Sequence, residues 1–386
     1  MGSITALFFL FGFITCLNDI LVPHLKELFA LNYQQSILIQ FCFFSAYFLF
    51  SFPSGIITKR FGYSQGIVGG LALAGLGALL FLPAAYVRSY PLFLSALFVL
   101  ACGITLIQVA ANPYVSELGP SHLAPSRLTM VQAFNSLGTT LAPFVGTFWI
   151  LSSTSQTGSQ TDIPYLAIGL LLLALATLTL LRPLPAIIRS NKTPNKDSLR
   201  NVHQFRLGVL GIFFYVGAEV GIGSFLVNHI VDSWKIDSSS AGGYVAFYWF
   251  LAMIGRFLSM LLLRHFRAWD CLFLAGICTT VLALLGVTSG PEISPWCFIA
   301  CGLFNSLMFP VIFTLSIDGL GDQTERGSSY LCMAIVGGAI LPLIQGGLAD
   351  HFGLQASFVL PALAYMYVAY FAVSKRSSHA IALSGV

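Results

Sequence analysis

Charge is what this chain most conspicuously lacks. Asp, Glu, Lys and Arg make up 8% of its 386 residues, roughly a third of the share usual in soluble domains. Eighteen basic and fourteen acidic side chains cannot clothe the surface of a soluble fold of this length. That scarcity excludes a disordered chain, and with a net charge of only +4 it also excludes a nucleic-acid binder. Metal and nucleophile chemistry are missing too. No His-rich or Asp-rich cluster and no nucleophile–base pair stands near either end of the apolar runs, so no enzyme and no cofactor is expected. Glycine-rich stretches such as 66–77 carry no Walker lysine and no strand–loop–helix context, which argues against an ATP-driven pump. They read instead as places where helices pack closely. Eight cysteines are present. Cys16, Cys42, Cys102, Cys278, Cys301 and Cys332 lie inside apolar runs and behave as small hydrophobes. Cys297 and Cys301 share a helical face, yet have no His or acid beside them to complete a metal site. The first apolar run also lacks the flanks of a cleavable signal peptide, because Asn18 and Asp19 interrupt it and no Lys or Arg precedes it.

Apolar residues are abundant, at 57%, with 34 Phe. A helix needs about 20 residues to cross the hydrocarbon core. That length predicts twelve spans, at 4–28, 36–57, 65–86, 91–115, 127–150, 164–182, 206–230, 241–263, 271–289, 294–316, 328–348 and 355–374. Most joints are short. The exception is 183–205, the longest polar stretch, which divides the spans six and six. The expected organisation is therefore an N-terminal six-helix bundle over 1–182, a linker over 183–205, a C-terminal six-helix bundle over 206–374 and a tail over 375–386.

Orientation follows from the cations, which concentrate in cytoplasmic loops. With the N-terminus inside, the inner loops and tail hold Lys59, Arg60, Arg127, Arg182, Arg189, Lys192, Lys196, Arg200, Arg206, Arg264, Arg267, Arg326, Lys375 and Arg376. Only Lys26, Arg88 and Lys235 fall outside. Both termini and the linker are thus expected in the cytoplasm of a multi-pass plasma-membrane protein.

Two acids lie where water does not reach. Asp19 falls deep in the first span and Glu219 deep in the seventh, where a charge costs about 3 kcal/mol on insertion scales. These spans occupy equivalent places if the halves are repeats. The functional reading is that at least one carboxyl binds and releases a proton as a cavity changes sides. The bland reading is a structural ion pair, for instance with Arg256 in the eighth span. Pro23 follows Asp19 closely and loosens the helix there. His24 and His229 close the first and seventh spans and read as interfacial.

Neutral amides fill the same depth. Gln108 and Asn112 are four apart on one face, just before Pro113, and Gln132 and Asn135 are three apart on another. Asn18, Gln40, Asn305 and Gln345 add to them. Amides donate and accept at once, as a hydroxyl-rich neutral ligand requires; an anionic solute would call for paired Arg or Lys. Amides can equally glue helices together.

Six plus six spans joined by a cationic linker resemble the major facilitator superfamily. Gly55-x-x-x-Lys59-Arg60-x-Gly62 and Gly346-x-x-x-Asp350-His351-x-Gly353 resemble its loop motif, with Lys59 where the first copy would ordinarily carry Asp. More specific are Asn18–Lys26, Leu38-Ile39-Gln40-Phe41, Gln108–Tyr114, Gln132–Ser136, Tyr215–Val220 and Met333–Ala339. Together they resemble the fucose–galactose–glucose:proton symporter family, and the glucose/galactose branch within it. The resemblance implies an all-α integral membrane protein with twelve transmembrane helices in two pseudo-symmetric six-helix bundles. It implies import of a neutral hexose (glucose or galactose, with fucose or mannose as further options) by cation symport through alternating access, in a bacterial inner membrane. Asp19 would be the proton-responsive group, with Glu219 as second acid and Arg256 as its charge partner. Asn18, Gln40, Gln108, Asn112, Gln132, Asn135 and Asn305 would meet the sugar, and Phe134, Tyr248 or Phe309 would stack on it. Fucose members carry an acid in helix four where this chain has Gln108, so a relay through that position is excluded and the coupling ion stays open between H⁺ and Na⁺. A drug or metabolite exporter and a non-transporting sugar sensor are the alternatives. No obligate protein partner is expected, and the chain is expected to be a monomer.

Overall fold

A chain this apolar leaves its backbone groups no partners in a bilayer except one another, so the long runs close into helices. The computed structural model describes residues 4–13, 33–87, 89–151, 162–185 and 203–384, together with Gly2, Cys16 and Ile187. Among the described residues there is no strand. In chain order the helices are α1 (Ile4–Phe13), α2 (Tyr33–Phe61), α3 (Tyr63–Val87), α4 (Tyr90–Glu117), α5 (Ala124–Leu151), α6 (Asp162–Leu181), α7 (His203–Trp234), α8 (Ser238–Leu262), α9 (Ala268–Thr288), α10 (Ser294–Asn305), α11 (Met308–Ile317), α12 (Thr324–Met333), α13 (Gly337–Phe352), the single turn α14 (Leu354–Ser357) and α15 (Val359–Ser384). Nine stretches among the described residues are long and apolar enough to cross a membrane. Two of the remaining expected spans are occupied by α5 and α6, and α1 covers the start of the third, of which residues 17–28, with His24, lie outside the described residues. This is a multi-pass membrane protein.

Three boundaries differ from the expected ones. The span expected at 294–316 is broken at Ser306 and Leu307, between α10 and α11. Pro310 stands in the first turn of α11 and has no N–H to offer the Ser306 carbonyl. The span expected at 328–348 begins earlier, at Gly321, and passes through a 3₁₀ turn at Ala334–Val336 before α13. The last helix continues to Ser384, past the expected end at 374.

The chain gathers into two compact units. The first comprises Met1–Leu118, Phe134–Asn195 and Gly321–Met333; the second comprises Gly119–Ala133, Lys196–Leu320 and Ala334–Val386. In the first, α3 and α4 approach through small residues. A side chain at Gly70 would press on the Gly103 carbonyl, and one at Gly103 on Ala74, as expected where close backbone packing drives helix association. Ser328 on α12 donates to the Val109 carbonyl of α4 at 2.8 Å, and Gly55 of α2 lies against Ser329. The start of the linker is tied down as well, since Tyr114 donates to the Pro185 carbonyl at 3.1 Å. In the second unit Ser126 donates to the Met260 carbonyl at 2.7 Å, and Gly276 of α9 meets Ala369 of α15. Leu170, Leu274, Leu343 and Met366 stand exposed, the apolar surface that lipid covers.

His229 is not interfacial as the sequence predicts. It is buried at 2% exposure, between the rings of Phe298 and Phe358. Its Nε2 lies 2.7 Å from the Ser294 hydroxyl, which itself donates to the Gly286 carbonyl at 2.6 Å. A hydroxyl has one proton, so the ring must be the donor. The triad ties α7 to α9 and α10 and is structural.

Candidate functional site

Among the described residues, the candidate site residues gather into a polar cluster in each unit, and the two clusters differ in kind. In the first unit, Gln108 and Asn112 rise one turn apart on α4, as their spacing requires. The Gln108 amide donates to the Tyr47 hydroxyl of α2 at 2.9 Å, which orients one end of that side chain. Asn112 is fully buried, and neither its Nδ2 nor its Oδ1 finds a partner. On α5, Asn135 is half-buried and donates to the Phe8 carbonyl of α1 at 3.0 Å. Gln132, also half-buried on α5, belongs to the second unit. The first-unit amides are all uncharged groups with donor and acceptor capacity left over.

In the second unit the cluster is acidic and phenolic. Glu219 on α7 pairs with Arg256 on α8, with Oε1 and Nη2 3.8 Å apart and side chains 12% and 17% exposed. Arg256 therefore turns inward to the acid. At that distance the pair is an ion pair rather than a hydrogen bond, and Glu219 Oε1 is buried without a hydrogen-bond partner. Tyr248 of α8 reaches back toward α7, its hydroxyl 3.4 Å from the Glu219 carbonyl, and accepts from the Asn305 amide at 2.8 Å. Asn305 is the last residue of α10, immediately before the break. The break thus places a fully buried amide, with an unpartnered Oδ1, beside the acid's own turn. Discontinuous helices of this kind place backbone and side-chain polar groups at membrane depth only where protein surrounds them.

Asn18 and Asp19 lie outside the described residues, as does the side chain of Gln40. Of the aromatics expected to stack on a sugar, Tyr248 is fully buried and engaged through its hydroxyl. Phe309 stacks on Phe313 at 5.9 Å between centroids, and Phe134 is half-buried. Four tyrosines were not foreseen as neighbours of these residues: Tyr47, which holds Gln108, and Tyr215, Tyr248 and Tyr365 around Glu219. One sequence signal existed for Tyr215, which stands a single turn before Glu219 on the same face. Among the described residues no group of three His, Cys, Asp or Glu could hold a metal ion. A separate cavity of about 410 Å³ in the second unit, lined by Asn228, Asp232, Ser238 and Asp350 among others, contains none of the expected site residues.

Chemically, the first cluster can meet hydroxyls without imposing charge. The second holds a carboxylate whose partner sits at ion-pair range, and protonation of the acid would release that partner.

The Major Facilitator Superfamily profile matches residues 4–331. The chain is 47% identical over 381 residues to the glucose/galactose transporter of Brucella abortus biovar 1, covering 96% of this chain and 92% of that one. It is 32% identical to the L-fucose-proton symporter of Escherichia coli K12, covering 95% and 91%. The crystal structure of the transporter FucP in its outward conformation superposes with a TM-score of 0.88 at 31% identity, covering 97% of this chain and 98% of that one.

Proposed function

The chain belongs to the major facilitator superfamily, and on that premise we propose that it imports a neutral hexose, glucose or galactose, by symport with a cation. It is a transporter and not an enzyme. The observation that carries the choice of substrate is the 47% identity to a glucose/galactose transporter along almost the whole chain. The proton is the proposed coupling ion, supported by relatives that are fucose–proton symporters.

The proposed roles follow the two clusters. Gln108, Asn112, Gln132, Asn135 and Asn305, with Asn18 and Gln40, supply donors and acceptors to sugar hydroxyls. Asp19 is the coupling carboxyl, and Glu219 is the second acid, with Arg256 as its counter-charge. No bond in the sugar is made or broken. Coupling requires only that the doubly loaded carrier change sides readily, while the carrier with an ionised Asp19 and no sugar is held back. The working unit is proposed to be a monomer in a bacterial inner membrane. It would consist of bundles over 1–182 and 206–374 with both termini, the linker and the tail cytoplasmic, in keeping with the distribution of basic residues.

The test is uptake by purified protein in liposomes. A panel of labelled hexoses would be offered while H⁺ and Na⁺ gradients are imposed independently. Glucose or galactose should accumulate against its gradient when H⁺ is driven inward, and Asp19→Asn should abolish accumulation while sparing sugar exchange. Sodium-driven accumulation would replace the proton, and efflux of amphipathic dyes without hexose uptake would replace the sugar. Hexose binding without counterflow would make the protein a sensor.

A further inference from the structure

A buried polar atom without a hydrogen-bond partner is uncommon, and each one calls for a cause. In the second unit four gather at one place. They are the hydroxyls of Tyr215 and Tyr365, the Glu219 Oε1 and the Asn305 Oδ1. Tyr215 and Tyr365 are 1% and 0% exposed and Asn305 is 0% exposed. They come from three different spans, α7, α10 and α15. Tyr365 lies within electrostatic reach of Tyr215, Glu219 and Tyr248. Tyr215 stands alongside the Glu219 carboxylate without a bond of good geometry. Tyr248 completes the ring through its bond from Asn305.

From this geometry we infer that Tyr215 and Tyr365 are substrate-contacting residues, forming with Glu219 and Asn305 a cage for the hydroxyls of the sugar in the C-terminal half. The inference rests on the transport reading above and extends it to two residues that reading does not use. The chemistry of the set selects the ligand. Two phenols can donate, while a carboxylate oxygen and an amide oxygen can only accept. A sugar hydroxyl does both and can satisfy one of each. An apolar ligand would leave all four atoms without hydrogen bonds. Burying these atoms without hydrogen bonds costs stability, and sugar hydroxyls would offset that cost.

This makes an unusual demand on the mutants. Tyr365→Phe deletes a hydroxyl without a hydrogen-bond partner, so the empty variant should melt at the same temperature or higher, whereas Tyr215→Phe also removes a group beside the Glu219 carboxylate. Affinity for the transported hexose, read from the sugar-induced shift in melting temperature and from competition of labelled uptake, should fall by about tenfold per hydroxyl. Tyr165→Phe is the matched control. Its hydroxyl is also buried and unpartnered, but it sits in the first unit, stacked on Phe81 at 4.5 Å. That variant should bind sugar like the unmodified protein. Wild-type affinity in both cage variants would overturn the cage alone. A drop in the melting temperature of empty Tyr365→Phe would overturn it as well, by showing that this hydroxyl has an internal partner. Absence of any sugar response in the unmodified protein, with uptake absent too, would overturn the transport reading and the cage together.

Discussion

The two copies of the G-x-x-x-[KD]-[RH]-x-G pattern end their helices alike and pack differently just before the end. Helix α2 stops at Phe61 and α13 at Phe352, each followed by a glycine with positive φ: Gly62 at 87° and Gly353 at 89°. The opening glycines share nothing comparable. A side chain on Gly55 would collide with the Ser329 hydroxyl of α12, whereas one on Gly346 would meet only the Phe225 ring at 3.5 Å, an ordinary contact. Beyond Gly346, Asp350 borders the 410 Å³ cavity rather than a packed helix. The repeat has therefore kept a turn and lost a packing contact. The polar clusters show the same asymmetry. In the first unit the described site amides are neutral, whereas the second is built around an ion pair.

The ion pair offers the largest way to break the likeness of the halves. Arg256→Met leaves the Glu219 carboxylate without its counter-charge at membrane depth. Removing one partner of a buried pair typically costs 3–5 kcal/mol, and residual exposure of both groups puts the expected loss near the lower end, about 3 kcal/mol. Thermal unfolding in detergent measures it. The double variant Arg256→Met/Glu219→Gln should recover most of the loss, because no charge is then stranded. Failure of the double variant to recover would mean that Arg256 stabilises by packing.

Next in size is Gly55→Ala. Forcing a methyl into a packed contact costs about 1–3 kcal/mol, and the Glu325 carbonyl at 3.3 Å limits any retreat. Gly346→Ala should be tolerated. Equal melting temperatures for the two variants would restore the symmetry that the packing denies.

Much of this was legible in the sequence for a physical reason: apolar runs of bilayer length are self-contained, so each span declares itself without its neighbours. The close packing of the 66–77 glycines and the inequality of Glu219 with its surroundings were legible on the same terms. The break before Met308 was not, because Pro310 lies within an otherwise unbroken apolar run and prolines inside membrane helices often leave them continuous, as Pro113 does in α4. Nor were the partners. That Tyr47 receives the Gln108 amide, or that Tyr248 receives the Asn305 amide, depends on how separate helices are rotated, and a tyrosine in a membrane span otherwise reads as ordinary apolar bulk. Asp19, the residue with the strongest sequence signal, lies outside the described residues.

The amide cluster supplies a smaller and cleaner contrast. Gln108→Ala removes sugar contacts but no charge. It should weaken hexose affinity by about tenfold, equivalent to roughly 1.4 kcal/mol, and leave the dependence of uptake on the ion gradient unchanged. Both follow from titrating transport at fixed pH with sugar, then repeating at several imposed gradients. An altered ion dependence would overturn the reading of Gln108 as a sugar contact alone.

The smallest effects should be the ones that match. At Gly62 and Gly353 a Cβ would meet nothing within 4 Å, so packing drops out and only backbone conformation remains. A left-handed φ costs an L-residue roughly 1–2 kcal/mol. Gly353, at φ 89° and ψ 152°, stands in a region that glycine alone occupies readily, where the cost is about 1–3 kcal/mol. The stiffer unfolded chain of an alanine variant offsets about 0.4–1 kcal/mol. Gly62→Ala and Gly353→Ala should each destabilise by about 1–2 kcal/mol, with the same sign in both halves, although the Gly55 and Gly346 substitutions within the same two motifs diverge. If the pair at the turns diverged as well, the shared spacing would record a coincidence of sequence rather than a common way of ending a helix.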